Sequence, residues 1–249
     1  MKNDEMSVII LIKYGFLIRR ELVSTKNNKN KNRLGENLGY DFVKITGLPA
    51  AYLITRPRVI RVGEQPLPKG GYMLSANHCS FWDPIVILIA FWRRRVYSLI
   101  TKDLYKNRLM TFMLDHIHCI QVDKDNFSIN SFHEVTKQLG RGKVVLIFPE
   151  GQVNLDAKDM TAFKSGIILM AHRAKVPIVP MYLVPTDRWY HKHTVLIGDA
   201  IDIRSMCGFM PTMDELDKIG QYIRQKQEEL KNHYYTNVCP GAADDKKES

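Results

Sequence analysis

Five consecutive apolar residues, Val144 to Phe148, constrain the fold of this chain more than any other stretch. They follow the turn-forming Gly140-Arg141-Gly142, are rich in β-branched side chains, and are stopped by Pro149. A half-exposed strand alternates apolar and polar residues, so a short unbroken apolar run of this kind reads as a strand covered on both faces. Sheets covered on both faces are mostly parallel, and parallel neighbours need crossover connections that are usually helical. The rest of the chain should therefore supply further strands with helices between them.

It does so from Val59 onward. Val59 to Val62 and Tyr72 to Ala76 read as strands, followed by a helix from Pro84 to about Trp92 and a strand from Val96 to Ile100. A helix within Leu104 to Leu114, a strand around Ile117 to Val122 and a helix from about Asn130 to Leu139 lead into Val144 to Phe148. Thr161 to Lys175 is helical in pattern, and Ile178 to Leu183 and Val195 to Ile197 are strand-like. A last helix begins at Thr212, where Thr212 and Glu215 form a capping box and Leu216, Ile219, Ile223 and Leu230 make the apolar stripe. The expected class is α/β, a central and largely parallel β-sheet flanked by helices. Active sites in such sheets lie beyond the carboxyl ends of strands.

Two of those ends carry chemistry. After Ala76 comes Asn77-His78-Cys79-Ser80-Phe81-Trp82-Asp83-Pro84. Histidine changes charge closest to neutral pH, and a carboxylate that accepts one ring N–H leaves the other nitrogen free as a base. No serine or cysteine is needed if the substrate brings its own nucleophile. Asp83 before Pro84 reads as a helix N-cap with proline at the first helical position; alternatively, Ser80 and Asp83 start a capping box one turn earlier. Both readings place His78 in a strand-to-helix turn, where unpaired N–H groups suit a phosphate or an oxyanion. A cap alone would also be sufficient reason for Asp83. The second end is Phe148-Pro149-Glu150-Gly151, which sets a carboxylate in a turn beside a glycine able to adopt a left-handed backbone. Any strand-ending loop contains such residues, so this tetrapeptide says little by itself.

The 249 residues are 45% hydrophobic, enough for one sizeable core, and carry a formal net charge of +10. An anionic lipid surface, nucleic acid or an acidic substrate would each account for that charge. No RNA-binding aromatic motif, glycine-rich phosphate loop or repeat accompanies it, so nucleic acid is not the expected partner. Cys79, Cys119, Cys207 and Cys239 form no close pair, which argues against a disulfide framework or a zinc knuckle. His116 with His118, and His191 with His193, alternate as on one strand face without a third ligand, so polar surface positions are expected and no metal site.

Ser7 to Ile18 is almost wholly apolar but includes Lys13 and falls short of the ~20 residues a membrane crossing needs. Arg19 and Arg20 follow, then a Lys- and Asn-rich linker from Ser24 to Arg33. An apolar segment flanked by cations fits a helical membrane-associating segment on an anionic surface; the alternative is a loose extension. Between Tyr40 and Arg58 the apolar residues fall at helical spacing, and Gly47 and Pro49 suggest two short helices. Arg56, Arg58 and Arg61 gather nearby, and Arg93, Arg94 and Arg95 close the next helix. Those three compensate a helix dipole, or face an anionic bilayer, or do both.

The two strand-end segments resemble, together and in order, the glycerolipid acyltransferases, the family that includes lysophosphatidic acid acyltransferase. The likeness runs from about Arg58 to Ile203. Asn77 to Pro84 is similar to the first family block, in which the histidine is the general base and the aspartate its partner. Cys119-Ile120-Gln121-Val122-Asp123-Lys124 resembles the second, Phe148 to Gly151 the third, and Val176-Pro177-Ile178-Val179-Pro180-Met181 the fourth. Thr101-Lys102-Asp103-Leu104 and Phe163-Lys164-Ser165-Gly166 also look like family segments.

The resemblance implies His78 and Asp83 as catalytic residues, and Lys102, Lys124, Glu150, Gly151 and Lys164 as substrate-binding residues. It implies acyl transfer from a thioester, acyl-CoA or acyl carrier protein, to a lysophospholipid, without a further cofactor or metal, in phospholipid biosynthesis at the cytoplasmic face of a membrane. Residues 37–235 would be the acyltransferase domain, 1–36 a possible membrane anchor and 236–249 a charged tail. Met110, Met113, Met170 and Met181 would fill the core or line an acyl groove. Two departures bear on the acceptor. Lys124 stands where the family usually has arginine, so it would hold phosphate as a point charge. Gln152-Val153-Asn154 follows Gly151 where the family commonly has Thr and Arg, which leaves open a non-phosphate acceptor, glycerol 3-phosphate, or a lipid-binding protein without turnover.

Overall fold

The computed structural model describes residues 38–42, 44–101, 117–122, 129–151, 165–186 and 192–240, together with 108, 111 and 114. Its strands are β1 (Arg58–Arg61), β2 (Tyr72–Ala76), β3 (Val96–Thr101), β4 (Cys119–Val122), β5 (Val144–Ile147), β6 (Ile178–Leu183) and β7 (Thr194–Ile197). Its helices are α1 (residues 38–42 and 44–55), α2 (Asp83–Ala90), α3 (Ile129–Gly140), α4 (Ser165–Ala174) and α5 (Met213–His233). The strands form one sheet in the order β1-β7-β6-β2-β5-β3-β4. Every pairing is parallel except that of β6 with β7.

Period-two alternation divides the strand side chains between two cores. Met73, Val145, Ile147 and Ile178 face α3, α4 and α5, meeting Val135, Leu139, Ile168, Met170, Ile219 and Ile223. Tyr72, Leu74, Ala76, Val144, Leu146 and Val179 face α2, meeting Val86, Ile87, Leu88 and Phe91, with Leu48 of α1 packed against them. All five residues of β2 and all four of β5 are buried. At about 1.5–3 kcal/mol for each fully buried large aliphatic side chain, these central strands anchor everything attached to their ends. Met170 and Met181 both belong to this packed interior.

Helix α5 starts with the expected capping box between Thr212 and Glu215. It is also tied to the sheet by a polar contact: Gln227, 1% exposed, donates from Nε2 to Ser75 O at 2.8 Å.

The structure corrects several local expectations. Residues 44–55 form one uninterrupted helical stretch, so Gly47 and Pro49 do not divide it. Proline removes a single N–H bond, to the carbonyl of Ile45, and both residues lie exposed where water can serve that carbonyl, while Leu48 and the buried Thr55 hold the helix to the domain. Strand β4 begins at Cys119, because Ile117 and His118 form a turn in which His118 takes a φ of 57°. His118 is 8% exposed and stacked between Tyr40 and Tyr97, at centroid distances of 4.6 and 4.5 Å, and His193 is 3% exposed, so neither is a surface position. His116 and His191, the segment 1–36 and most of Leu104 to Leu114 lie outside the described residues. Among the described residues, no helix is long and apolar enough to cross a membrane.

Candidate active site

β2 ends at Ala76, and the next side chain fastens the turn that leads into α2. Asn77 donates from Nδ2 to Leu183 O at 2.9 Å and accepts from Leu183 N at Oδ1 at 2.7 Å. A buried side chain thus extends the pairing of β2 with β6 past the last backbone bond, and His78 departs from that fixed point.

His78 Nδ1 lies 2.9 Å from Asp83 Oδ2. The same oxygen accepts the N–H groups of Cys79 and Ser80, each at 2.7 Å. An oxygen that already accepts two backbone N–H groups is an acceptor toward the ring too, so Nδ1 carries the hydrogen and Nε2 the lone pair. The Asp83 side chain is 1% exposed and that of His78 15%, which shields the pair while leaving the imidazole reachable. The other wall is Phe148, stacked on the His78 ring with centroids 4.1 Å apart and planes at 17°.

Asp83 is the first residue of α2 and not its N-cap; Trp82 holds the cap position without a side-chain bond. The capping box one turn earlier is half formed. Ser80 N donates to Asp83, but Ser80 Oγ accepts from Trp82 N at 3.2 Å, and Asp83 N donates to Ser80 O at 3.1 Å. A carboxylate turned back toward the imidazole and two upstream N–H groups cannot also cap groups downstream. The bonds occupy the N–H groups of Cys79, Ser80, Trp82 and Asp83, so the turn offers fewer free donors to an oxyanion than a bare helix start would.

Cys79 Sγ lies 3.8 Å from both Asp83 Oδ1 and Leu183 O. Burial, followed by the charge and hydrogen bond of Asp83, pushes its thiol far above the ordinary range, so it stays protonated and is not a nucleophile near neutral pH.

The second turn follows β5. Gly151 N donates to Phe148 O at 3.1 Å, and Gly151 has a φ of 67°, the left-handed conformation that favours glycine. Glu150 is half-buried, and its charge is among those that raise the Cys79 thiol, which places it within electrostatic reach of the His78 turn. His78, Asp83, Glu150 and Gly151 therefore gather at the carboxyl ends of the neighbouring strands β2 and β5. Lys102, Lys124 and Lys164, with Gln152-Val153-Asn154, lie outside the described residues. Among the described residues, no group of three or more His, Cys, Asp or Glu could hold a metal ion.

Two contributors were not expected from the sequence: Asn77 as a fastener and Phe148 as the wall behind the imidazole. Parity offered a signal for the second. Leu74 is the register partner of Leu146, so counting on in twos puts His78 and Phe148 on one side of the sheet.

The sequence model of the Acyltransferase family matches residues 58–184. A protein of Mycoplasma pneumoniae named probable 1-acyl-sn-glycerol-3-phosphate acyltransferase is 27% identical over 185 residues, covering 71% of this chain and 68% of that one. One of the same name from Mycoplasma genitalium is 30% identical over 149 residues, 57% of this chain and 55% of that one. The 1-acyl-sn-glycerol-3-phosphate acyltransferase of Bacillus subtilis is 24% identical over 167 residues, 65% and 82%. In fold, the crystal structure of the acyltransferase PlsC from Thermotoga maritima superposes with a TM-score of 0.56 at 18% identity, covering 81% of this chain and 97% of that one. With a family match over more than half its length, running from β1 through both strand-end turns, the chain belongs to the acyltransferase family.

Proposed function

We propose that this chain transfers a fatty acyl group from a thioester, acyl-CoA or acyl carrier protein, to the free hydroxyl of 1-acylglycerol-3-phosphate, giving phosphatidic acid. The observation that carries the reading is the His78–Asp83 pair, joined at 2.9 Å at the carboxyl end of a buried strand. The names of the relatives support the acceptor.

The acceptor hydroxyl gives its proton to His78 Nε2 as its oxygen attacks the thioester carbonyl. Asp83 holds the ring in the required tautomer and stabilises the imidazolium that forms. The tetrahedral oxyanion then collapses to the ester and expels the thiolate, which takes the proton back from His78. Backbone N–H groups of the turn, together with a lysine, would hold the oxyanion. Lys124, Lys102 and Lys164 are assigned by family resemblance to the acceptor phosphate, with Glu150 and Gly151 shaping that side of the site. The scheme uses no cofactor and forms no acyl-enzyme, in keeping with a Cys79 thiol held protonated beside the base.

The outer side of α1 supports attachment to a membrane surface, which we place at the cytoplasmic face. Leu38, Phe42, Ile45, Tyr52 and Leu53 are all more than half exposed there and recur at helical spacing. The test of function is incubation of the purified chain with labelled acyl-CoA or acyl carrier protein and a panel of lysolipids, with products identified by mass. Phosphatidic acid should form with the wild type and fall by at least the ~10²–10⁴-fold typical of general-base catalysis in His78→Ala. Near-normal turnover by that variant would end the reading.

A further inference from the structure

At the opposite ends of the same strands lies a second polar site. Lys69 before β2, Arg93 to Arg95 before β3 and Gly142-Lys143 before β5 meet Asp41 and Lys44 of α1 around a cavity of ≈ 510 Å³. β2 alone, with its five residues at ~3.3 Å each, puts about 17 Å between this cavity and the His78 turn.

The lining sets six cations, Lys44, Lys69, Arg93, Arg94, Arg95 and Lys143, against the single carboxylate of Asp41. That carboxylate is already matched by Arg95 at 2.7 Å. Arg94 donates to Lys69 O at 3.1 Å and Gly70 O at 2.7 Å, neutral acceptors that fix its guanidinium without cancelling its charge. Arg95 Nε is buried without a hydrogen-bond partner. The Lys44 ammonium is pushed toward neutrality by burial first, with Asp41 opposing and Arg95 reinforcing the effect. Cations held together in this way repel one another, and an anion among them turns that repulsion into attraction while supplying acceptors for their donors. The rim carries Trp92, 61% exposed, with Lys44 and Arg93 each 5.9 Å from its ring.

We propose that this cavity is a phosphate-binding site separate from the catalytic turn, taking the phosphate of a lipid headgroup at a bilayer surface or that of a soluble phosphate ester. The site stands whether or not the chain transfers acyl groups, because its occupancy is read as binding.

Lys69 and Arg93 are exposed, so Lys69→Glu with Arg93→Glu leaves the core intact. Arg173→Glu with Lys218→Glu makes the same charge change on exposed positions of the helices covering the other face. The full chain of each is titrated with vesicles of phosphatidylcholine containing phosphatidylglycerol, with phosphatidylcholine vesicles as blank, and separately with pyrophosphate in a calorimeter. At ~1 kcal/mol for each cation, the first pair should weaken binding by about 30-fold or more, the second pair by far less, and His78→Ala not at all. Loss confined to vesicles identifies a lipid headgroup as the source, and loss with pyrophosphate identifies a soluble phosphate. Equal losses in the two double variants, unchanged binding in both, or no wild-type binding of either probe would overturn the proposal.

Discussion

Replacing Asp83 by Asn separates a catalytic carboxylate from a structural one, because nearly every contact Asp83 makes can be kept by an amide. The Asn oxygen can still accept from Cys79 N, Ser80 N and His78 Nδ1, all of which converge on one oxygen in the native turn. What disappears is the negative charge facing the imidazolium. A unit charge pair separated by about 4 Å gains roughly 4 kcal/mol at an effective dielectric constant of about 20, a suitable value for a pair as shielded as this one. That energy is available only once the ring is protonated, so it acts on the transition state and corresponds to about 10³-fold in rate. Folding should be affected much less, since the hydrogen-bond pattern survives. The assay is single-turnover acyl transfer with labelled acyl thioester, run beside thermal unfolding of the same preparation. The expected outcome is kcat reduced by about 10³-fold with Tm changed by only a few degrees. An Asn variant within about threefold of wild type would refute the assignment and leave Asp83 as a link that merely closes the turn.

Four further outcomes rest on the same contacts. Asn77→Ala strips two bonds from buried Leu183 backbone groups, so unfolding should cost about 2–4 kcal/mol less, and kcat should fall more than KM rises because the base loses its anchor. Cys79→Ala should keep most activity, and native Cys79 should resist iodoacetamide near neutral pH, because burial and Asp83 hold the thiol protonated; rapid alkylation coupled to inactivation would contradict this. Gln227→Ala removes the donor to Ser75 O and should lower stability by about 1–3 kcal/mol in chemical denaturation while leaving KM unchanged. Phe42→Glu with Ile45→Glu places charge on the exposed side of α1 and should abolish pelleting with vesicles, whereas unchanged pelleting would move the membrane contact elsewhere.

Much of the sheet was legible because its strands obey a local rule. Tyr72–Ala76 and Val144–Ile147 are short, apolar and bounded by glycine or proline, and both proved buried throughout. The helix starting at Thr212 was legible for the same kind of reason, since a capping box and an apolar stripe are local signals. Strand order was not legible: β2 lies between β6 and β5, neighbours set by tertiary packing rather than by adjacency in the chain. α1 was misjudged because the solvent-side cost of one proline is small against its burial of Tyr40, Leu48 and Thr55. His118 was misjudged because its left-handed turn and the two tyrosines that sandwich it are separated from one another by long stretches of chain. At the candidate site, spacing suggested the His78 and Asp83 pairing and the family resemblance made it an expectation, whereas the clamp from Asn77 to Leu183 joins residues more than a hundred positions apart and leaves no trace in either segment.

The geometry of that clamp explains why the carboxylate sits where it does. Oδ2 of Asp83 accepts three hydrogen bonds, two of them from backbone that Asn77 has already tied to β6. Its position is therefore set by the sheet and not by its own rotamer, and it cannot shift to follow a proton. In the proposed reaction such a carboxylate would hold the ring through Nδ1 while Nε2 receives the proton of the acceptor hydroxyl. Phe148 completes the arrangement, because an aromatic face 4.1 Å away accommodates a cationic ring and offers it no competing acceptor. In the proposed reaction Nε2 would then return that proton to the departing thiolate.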